Sequence, residues 1–152
     1  MKPLRGSAEY SIDSKGRLAI PARMRAAKEL HPGSGVVLNM VDGCITVYPL
    51  PDWEIREEKV RQLSDDIEVE RETKREILLR ALDLDVDAQG RIALPKKYLD
   101  YADLAPSTTA LVLGVDNRME VWNPERHAQR QSARDQPFER MLERSLGGGG
   151  AA

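Results

Sequence analysis

The sequence is short of the residues that build catalytic centres, metal sites and membrane spans. A single cysteine, Cys44, excludes an intrachain disulfide and any multi-cysteine metal site. Of the two histidines, His31 stands in a Pro-Gly turn and His127 in a charged segment, and neither has an evident nucleophile partner. Aromatic residues are sparse, with Phe138 the one phenylalanine. No apolar run approaches the ~20 residues of a transmembrane helix. The opening Met1 to Gly6 lacks the apolar core of a secretory signal. Walker glycines and dinucleotide fingerprints are missing, and the carboxylates form no recognisable acid–base pair. These absences argue against an enzyme, a cofactor, a metal, a small-molecule substrate and a membrane protein, and make the cytoplasm the expected location.

A dominant charge is missing too. The net charge of −2 conceals a basic start and an acidic middle. Residues 1–31 carry seven Lys/Arg against three Asp/Glu, whereas residues 52–87 carry seven against thirteen. An acidic average therefore leaves room for a local nucleic-acid-binding patch.

What is present is a repeat. Asp13-Ser14-Lys15-Gly16-Arg17-Leu18-Ala19-Ile20-Pro21 returns 74 residues later (87 − 13) as Asp87-Ala88-Gln89-Gly90-Arg91-Ile92-Ala93-Leu94-Pro95. The offset also relates Asp42 to Asp116, Val47 to Val121 and Tyr48 to Trp122. A register kept without gaps over such a span means two copies of one structural unit. Within each motif, Asp suits a turn that it caps itself, and Gly accepts positive φ. The flanking apolar–polar alternation predicts a β-hairpin with Lys15 and Arg17, or Gln89 and Arg91, at its tip. Pro21 then suits the start of a helix.

The remaining chain follows in order. A short helix is predicted from Pro21 to Leu30, and a second hairpin with its turn at Asp42-Gly43. Charged helix is expected from Asp52 to about Leu84, interrupted at Ser64-Asp65-Asp66, which would cap its second half. Its bland role is a solvated connector; a sharper one packs its apolar stripe against a neighbouring subunit. The second unit repeats the plan, with a helix from Lys96 to Leu104 and a hairpin from Ala110 to Trp122. Here Asp116-Asn117 makes the turn, Asn being tolerant of left-handed φ. Asn123-Pro124 starts a last helix to about Leu146, broken or kinked at Pro137. The expected division is a first unit at 4–51, a helical connector at 52–84, a second unit at 85–123, a C-terminal helix at 124–146 and a flexible tail at 147–152.

The doubled Asp-x-x-Gly-Arg-x-x-x-Pro resembles the MraZ family, whose members hold two AbrB-like swapped-hairpin units in one chain. Leu4-Arg5-Gly6, Gly114-Val115-Asp116 and Glu120-Val121-Trp122 resemble the family pattern as well. The resemblance spans nearly all of residues 4–146. Departures are small: Leu4 stands where an aromatic is common, and Gln89 replaces in the second unit the lysine of the first. The resemblance implies a β-rich α+β fold, a double swapped-hairpin barrel. It also implies a cytoplasmic, nucleoid-associated transcription regulator forming a ring-shaped homo-oligomer. Such a regulator binds tandem DNA boxes upstream of the division and cell-wall gene cluster, its own promoter included, and usually represses it.

The residues at the tips suit double-stranded DNA. A two-stranded ribbon fits the major groove, where Arg pairs with guanine, Gln with adenine, and Lys with phosphate or guanine. Arg17 and Arg91 are the main candidate contacts, Lys15 and Gln89 the second, and Arg5, Arg23 and Arg25 candidates for phosphate. Against this, each Arg could instead brace the fold by pairing with its own turn's Asp13 or Asp87. Cys44, alternating with core-facing positions, reads as a buried small hydrophobe. The alternative function is an antitoxin-like or scaffold module whose helical arms, Asp52–Leu84 and Pro124–Leu146, hold a protein partner.

Overall fold

The alternation of apolar and polar residues becomes eight short strands among the described residues of the computed structural model, which are 2–147. The first unit contributes β1 (Ser7–Ser11), β2 (Arg17–Ala19), α1 (Ala22–Ala27), β3 (Gly35–Val41) and β4 (Cys44–Pro49). Two helices follow, α2 (Leu50–Arg61) and α3 (Glu68–Leu79). The second unit contributes β5 (Leu82–Asp85), β6 (Arg91–Ala93), α4 (Lys96–Tyr101), β7 (Thr109–Val115) and β8 (Arg118–Trp122). The arm after it is α5 (Pro124–Ser132), α6 (Phe138–Leu142) and a π-helical turn at Glu143–Gly147. Of the tail expected at 147–152, all but Gly147 lies outside the described residues.

The strands form a six-stranded antiparallel sheet in the order β1-β7-β8-β4-β3-β5, with β2 and β6 as a separate two-stranded ribbon. The two units are exchanged within it: β1 pairs with β7 of the second unit, and β5 pairs with β3 of the first. Adding 74 to one register generates the other, so Ala8↔Val112 becomes Leu38↔Leu82 and Tyr10↔Ala110 becomes Val36↔Leu84. Two cross-strand pairs map onto themselves under that offset, Leu18↔Ile92 in the ribbon and Thr46↔Glu120 at the β4–β8 seam. The pseudo-two-fold axis therefore runs through the centre of the ribbon and the centre of the sheet. Each unit covers an edge that the other would leave unpaired.

The α+β, β-rich class stands, with strands swapped between the units. Other expectations are corrected. The barrel does not close: the ribbon joins the sheet only through the isolated bridge Ile12↔Leu18, because the Asp13 turn interrupts the chain between β1 and β2. For the same reason β1 and β2 are not a ladder-paired hairpin; each takes its partner from the other unit. Helix does not continue to Leu84, because after Leu79 the edge of β3 recruits residues 82–85 as β5. Nor does Ser64-Asp65-Asp66 cap α3, whose first flanking residue is Ile67 with no side-chain cap. Asp65 instead pairs with Lys74 at 3.0 Å. Asn123 does cap α5, its side chain accepting from the N–H groups of Glu125 and Arg126. In the second β-turn the left-handed residue is Asp116 (φ 60°) rather than Asn117.

The core follows the symmetry. Ile12 and Val86, Leu18 and Ile92, and Val47 and Val121 are repeat partners, and all are buried. Odd and even positions of β3 and β4 face opposite ways: Val36, Leu38, Ile45 and Val47 enter this core, while Val37 and Tyr48 join Trp53 on the outer face. There Tyr48 and Trp53 meet edge to face at 5.4 Å. The helices α2 and α3 thus cover one outer half of the sheet, and α1, α4 and the ribbon cover the inner face. No helix among the described residues is long and apolar enough to cross a membrane.

Candidate nucleic-acid interface

The two motifs build identical turns. Asp13 Oδ1 accepts from the backbone N–H groups of Lys15 (2.9 Å) and Arg17 (2.8 Å), and Asp87 Oδ1 does the same for Gln89 and Arg91 (both 2.9 Å). The second carboxylate oxygen of each accepts from Nε of its own arginine, at 2.6 Å for Arg17 and 2.9 Å for Arg91. These backbone donors, with the guanidinium beside them, stabilise the ionised carboxylates. The Asp13 carboxyl is lowered to about 2, chiefly by the Arg17 N–H bond, and Asp87 is lowered for the same first reason. The arginines therefore do brace the turns. Because only Nε is used for this, the outer edge of Arg17 is left: neither of its Nη atoms has a hydrogen-bond partner among the described residues.

The ribbon then places both turns on one surface. In the register Arg17↔Ala93, Leu18↔Ile92, Ala19↔Arg91, alternate residues share a face. Leu18 and Ile92 point into the core, so Arg17, Ala19, Arg91 and Ala93 share the outward face. The arginine side chains are about one-third exposed, 33% and 27%. With strands ~4.8 Å apart and an offset of two positions along the strand, their Cα atoms lie roughly 8 Å apart on a diagonal. Asp13 also reaches across to Arg91 Nη1 at 3.7 Å, tying the two units together.

The candidate residues do not all gather there. Lys15 and Gln89 sit exposed in the two turns, on either side of the arginines. Arg25, from α1, lies over the second turn, its guanidinium against Gly90 and its Nε donating to Ile20 O at 3.1 Å. Arg23 is exposed on the same short helix. Arg5 stands apart at the far end of β1, about 8 residues or ~26 Å of strand from Asp13. It is held there by the bridge Leu4↔Asp116 and by Gly114, where any Cβ would come within 2.5 Å of the Arg5 backbone.

The two tips differ in chemistry. Arg91 Nη2 donates to Gln89 Oε1 at 3.2 Å, so the second tip is internally bonded and carries a neutral amide where the first has an ammonium. The first tip offers the exposed Lys15 ammonium and the outer edge of Arg17. Sequence reasoning missed three features of this surface. The pairing of the two motifs with each other had no local signal. Neither did the reach of Asp13 to Arg91 or of Arg25 to Gly90. Ala19 and Ala93 could have been noticed, since a small residue at both repeat positions keeps the face between the arginines low.

Other groups are unsuited to chemistry. Cys44 is fully buried, and burial with Glu120 and Asp42 nearby pushes its thiol up to about 12. His127 packs its ring against Trp122 at 5.1 Å. No cluster of metal-ligating side chains is found among the described residues.

Comparison with known proteins places this geometry in context. The family model described as "MraZ protein, putative antitoxin-like" matches twice, at residues 4–76 and 77–147. Curated proteins called Transcriptional regulator MraZ align over most of both chains. Those of Pediococcus pentosaceus and Natranaerobius thermophilus are 37% and 38% identical, each over 91% of this chain and 93% of the relative. That of Thermomicrobium roseum is 41% identical over 81% of this chain and 83% of its own. A solution structure of PHS018 from Pyrococcus horikoshii aligns with 82% of this chain and 98% of its own, at 16% identity and a TM-score of 0.38, too distant to carry an argument.

Proposed function

Because the chain belongs to the MraZ family, we propose that it is a DNA-binding transcription regulator, not an enzyme, which reads duplex DNA with the β2–β6 ribbon. The observation that carries this reading is the shared outward face of Arg17 and Arg91 on one rigid, pseudo-symmetric ribbon. A two-stranded ribbon is of the size the major groove admits, ~12 Å wide. The diagonal of roughly 8 Å between the arginines corresponds to about two base-pair steps of ~3.4 Å. Arg17 offers its Nη atoms to guanine O6 and N7, and Lys15 reaches a flanking phosphate. Arg91 and Gln89 act as a bonded pair. Arg23 and Arg25 are placed for phosphate, while Arg5 contacts DNA only where the duplex runs beyond the ribbon.

In this reading units 4–51 and 85–123 form the body that faces DNA. The helices α2 and α3, and those after β8, are turned toward neighbouring copies. Six or so charge-assisted contacts from one ribbon bind weakly at physiological salt. Copies assembled in a ring and set against tandem boxes gain by effective concentration, typically ~10²–10⁴-fold. The boxes lie upstream of the division and cell-wall gene cluster, and occupancy of its own promoter makes the protein an autorepressor, cytoplasmic and associated with the nucleoid.

The test is fluorescence anisotropy of a labelled duplex from upstream of its own gene, beside a scrambled duplex, at several salt concentrations. Tight binding to the native duplex alone, weakening steeply with salt, is the expected result. Equal and weak binding to both duplexes would refute the reading and turn the search to protein partners of the helical arms.

A further inference from the structure

The two short helices beside the ribbon are rooted in each other's turns. Ile20 donates its N–H to Gly90 O at 3.0 Å just before α1 begins, and Leu94 donates its N–H to Gly16 O at 2.9 Å just before α4 begins. Each helix then lays a side chain on the same glycine. Arg25 of α1 lies against Gly90, and its repeat partner Leu99 of α4 comes 3.6 Å from where a Cβ on Gly16 would stand. So α1 of the first unit stands beside the second tip, and α4 of the second unit beside the first. The pseudo-two-fold axis passes through the centre of the ribbon and puts the two helices on opposite sides of it.

The 74-residue offset also relates Arg23 of α1 to Lys97 of α4, and both are exposed. Neither has an ion-pair partner among the described residues; Asp100, one turn on from Lys97, is engaged by Lys96 at 2.7 Å. Neither helix has an acidic residue in its first turn, and a cation there works against the helix dipole. These two side chains therefore do nothing for the helices that carry them. Three residues of chain separate each from its helix's bond to the tip, which holds its Cα within roughly 11 Å of the bonded Ile20 or Leu94. The charge of the two tips balances in this way. Lys15, Arg17 and Lys97 gather at the first, and Arg91, Arg25 and Arg23 at the second, where Gln89 has no charge to give.

We infer that Lys97 is a DNA contact, and that with Arg23 it grips the phosphates of opposite strands on the two sides of the ribbon. The backbones that edge a major groove are themselves related by a two-fold axis, and a protein dyad set on that axis meets both alike. An ammonium suits this role as a point charge on phosphate, without the flat fork that reads guanine. Lys97 thus adds affinity without sequence preference, while Arg17 reads the base. The inference deepens the DNA reading of the proposed function and rests on it.

Anisotropy of the native and scrambled duplexes over a range of salt concentrations tests it in Lys97→Ala, with Lys96→Ala as a control that removes the same charge from the same helix. Loss of one phosphate contact should lower the slope of log affinity against log salt by about 0.9, a loss of about 8-fold near 0.1 M salt that fades toward 1 M. Both duplexes should lose affinity by the same factor. Lys97→Arg should keep the wild-type slope, and Lys96→Ala should nearly keep it. Arg23→Ala should match Lys97→Ala, and the two losses should multiply when combined. An unchanged slope in Lys97→Ala would overturn the inference. Equal losses for Lys96→Ala and Lys97→Ala would overturn it as well, by reducing the effect to net charge. A loss confined to the native duplex would make Lys97 a base reader and also count against it. Wild-type protein that binds both duplexes equally and weakly would overturn the proposed function and this inference with it; wild-type discrimination with Lys97 silent overturns the inference alone. Should circular dichroism show that Lys97→Ala is misfolded, Lys97→Gln, which keeps the side-chain stem, makes the same comparison.

Discussion

Gly16 and Gly90 occupy equivalent turns, with φ of +81° and +76°, yet alanine should be tolerated unequally at them. Both substitutions force an L-residue into the left-handed region, at ~1–2 kcal/mol, and both gain ~0.4–1 kcal/mol from a stiffer unfolded chain. These shared terms leave about 1 kcal/mol each. What faces the new Cβ decides the rest. At Gly16 it would stand 2.9 Å from the backbone oxygen of Leu94, beside the Leu94 N–H bond to Gly16 O. Backbone cannot step aside without weakening that bond, a further loss of ~0.5–1.5 kcal/mol. At Gly90 the Cβ meets the guanidinium of Arg25 at 3.0–3.1 Å, the end of a flexible side chain that need shift by only a few tenths of an ångström and can do so while keeping its Nε bond to Ile20 O. Gly16→Ala should therefore cost about 2 kcal/mol and Gly90→Ala about 1. For a chain of this length that is a Tm loss of roughly 4–8 °C against 2–4 °C. Thermal denaturation followed by circular dichroism reads both. A Gly90→Ala variant that loses as much as Gly16→Ala would refute the reasoning, because it would mean that Arg25 is held as firmly as backbone.

Arg17→Ala combined with Arg91→Ala should remove two candidate guanine contacts, each worth ~1–3 kcal/mol, and so weaken specific binding by on the order of 30-fold or more. Asp13 and Asp87 would still bind the backbone N–H groups of their turns, so melting and assembly should stay near wild type; loss of folding would assign the arginines to structure alone. The turn carboxylates also set an acid limit. Their folded pKa lies below the unfolded value of ~3.9, at about 2 for Asp13. Their stabilisation is therefore full above pH ~4 and lost as pH falls toward 2. Asp13→Asn with Asp87→Asn should flatten Tm between pH 4 and 2, and an unchanged slope would count against the turn hydrogen bonds as its cause. Cys44, buried and with its thiol pushed up to about 12, should resist a thiol reagent in the native protein and react once it is unfolded. Rapid native labelling would contradict its burial.

The sequence alone determined the unit and its number. The gapless 74-residue offset fixed two copies, and Asp-x-x-Gly fixed each turn, because a self-capping carboxylate and a positive-φ glycine act within five residues. Alternation placed β3, β4, β7 and β8 within a residue or two, since a half-buried strand writes its burial into its own period. The Asn123-Pro124 helix start was legible for the same local reason. Only the tertiary structure decided the pairings. That β1 crosses to β7, that residues 82–85 leave helix for the edge of β3, and that β2 meets β6 all depend on residues about 70 to 100 apart or on an edge built elsewhere. Strand partners are chosen by which edges remain open once the units meet, and no short window of sequence records that. The Arg17–Arg91 face exists for this reason: each unit supplies one strand and one arginine, and the pseudo-two-fold axis makes them a single surface.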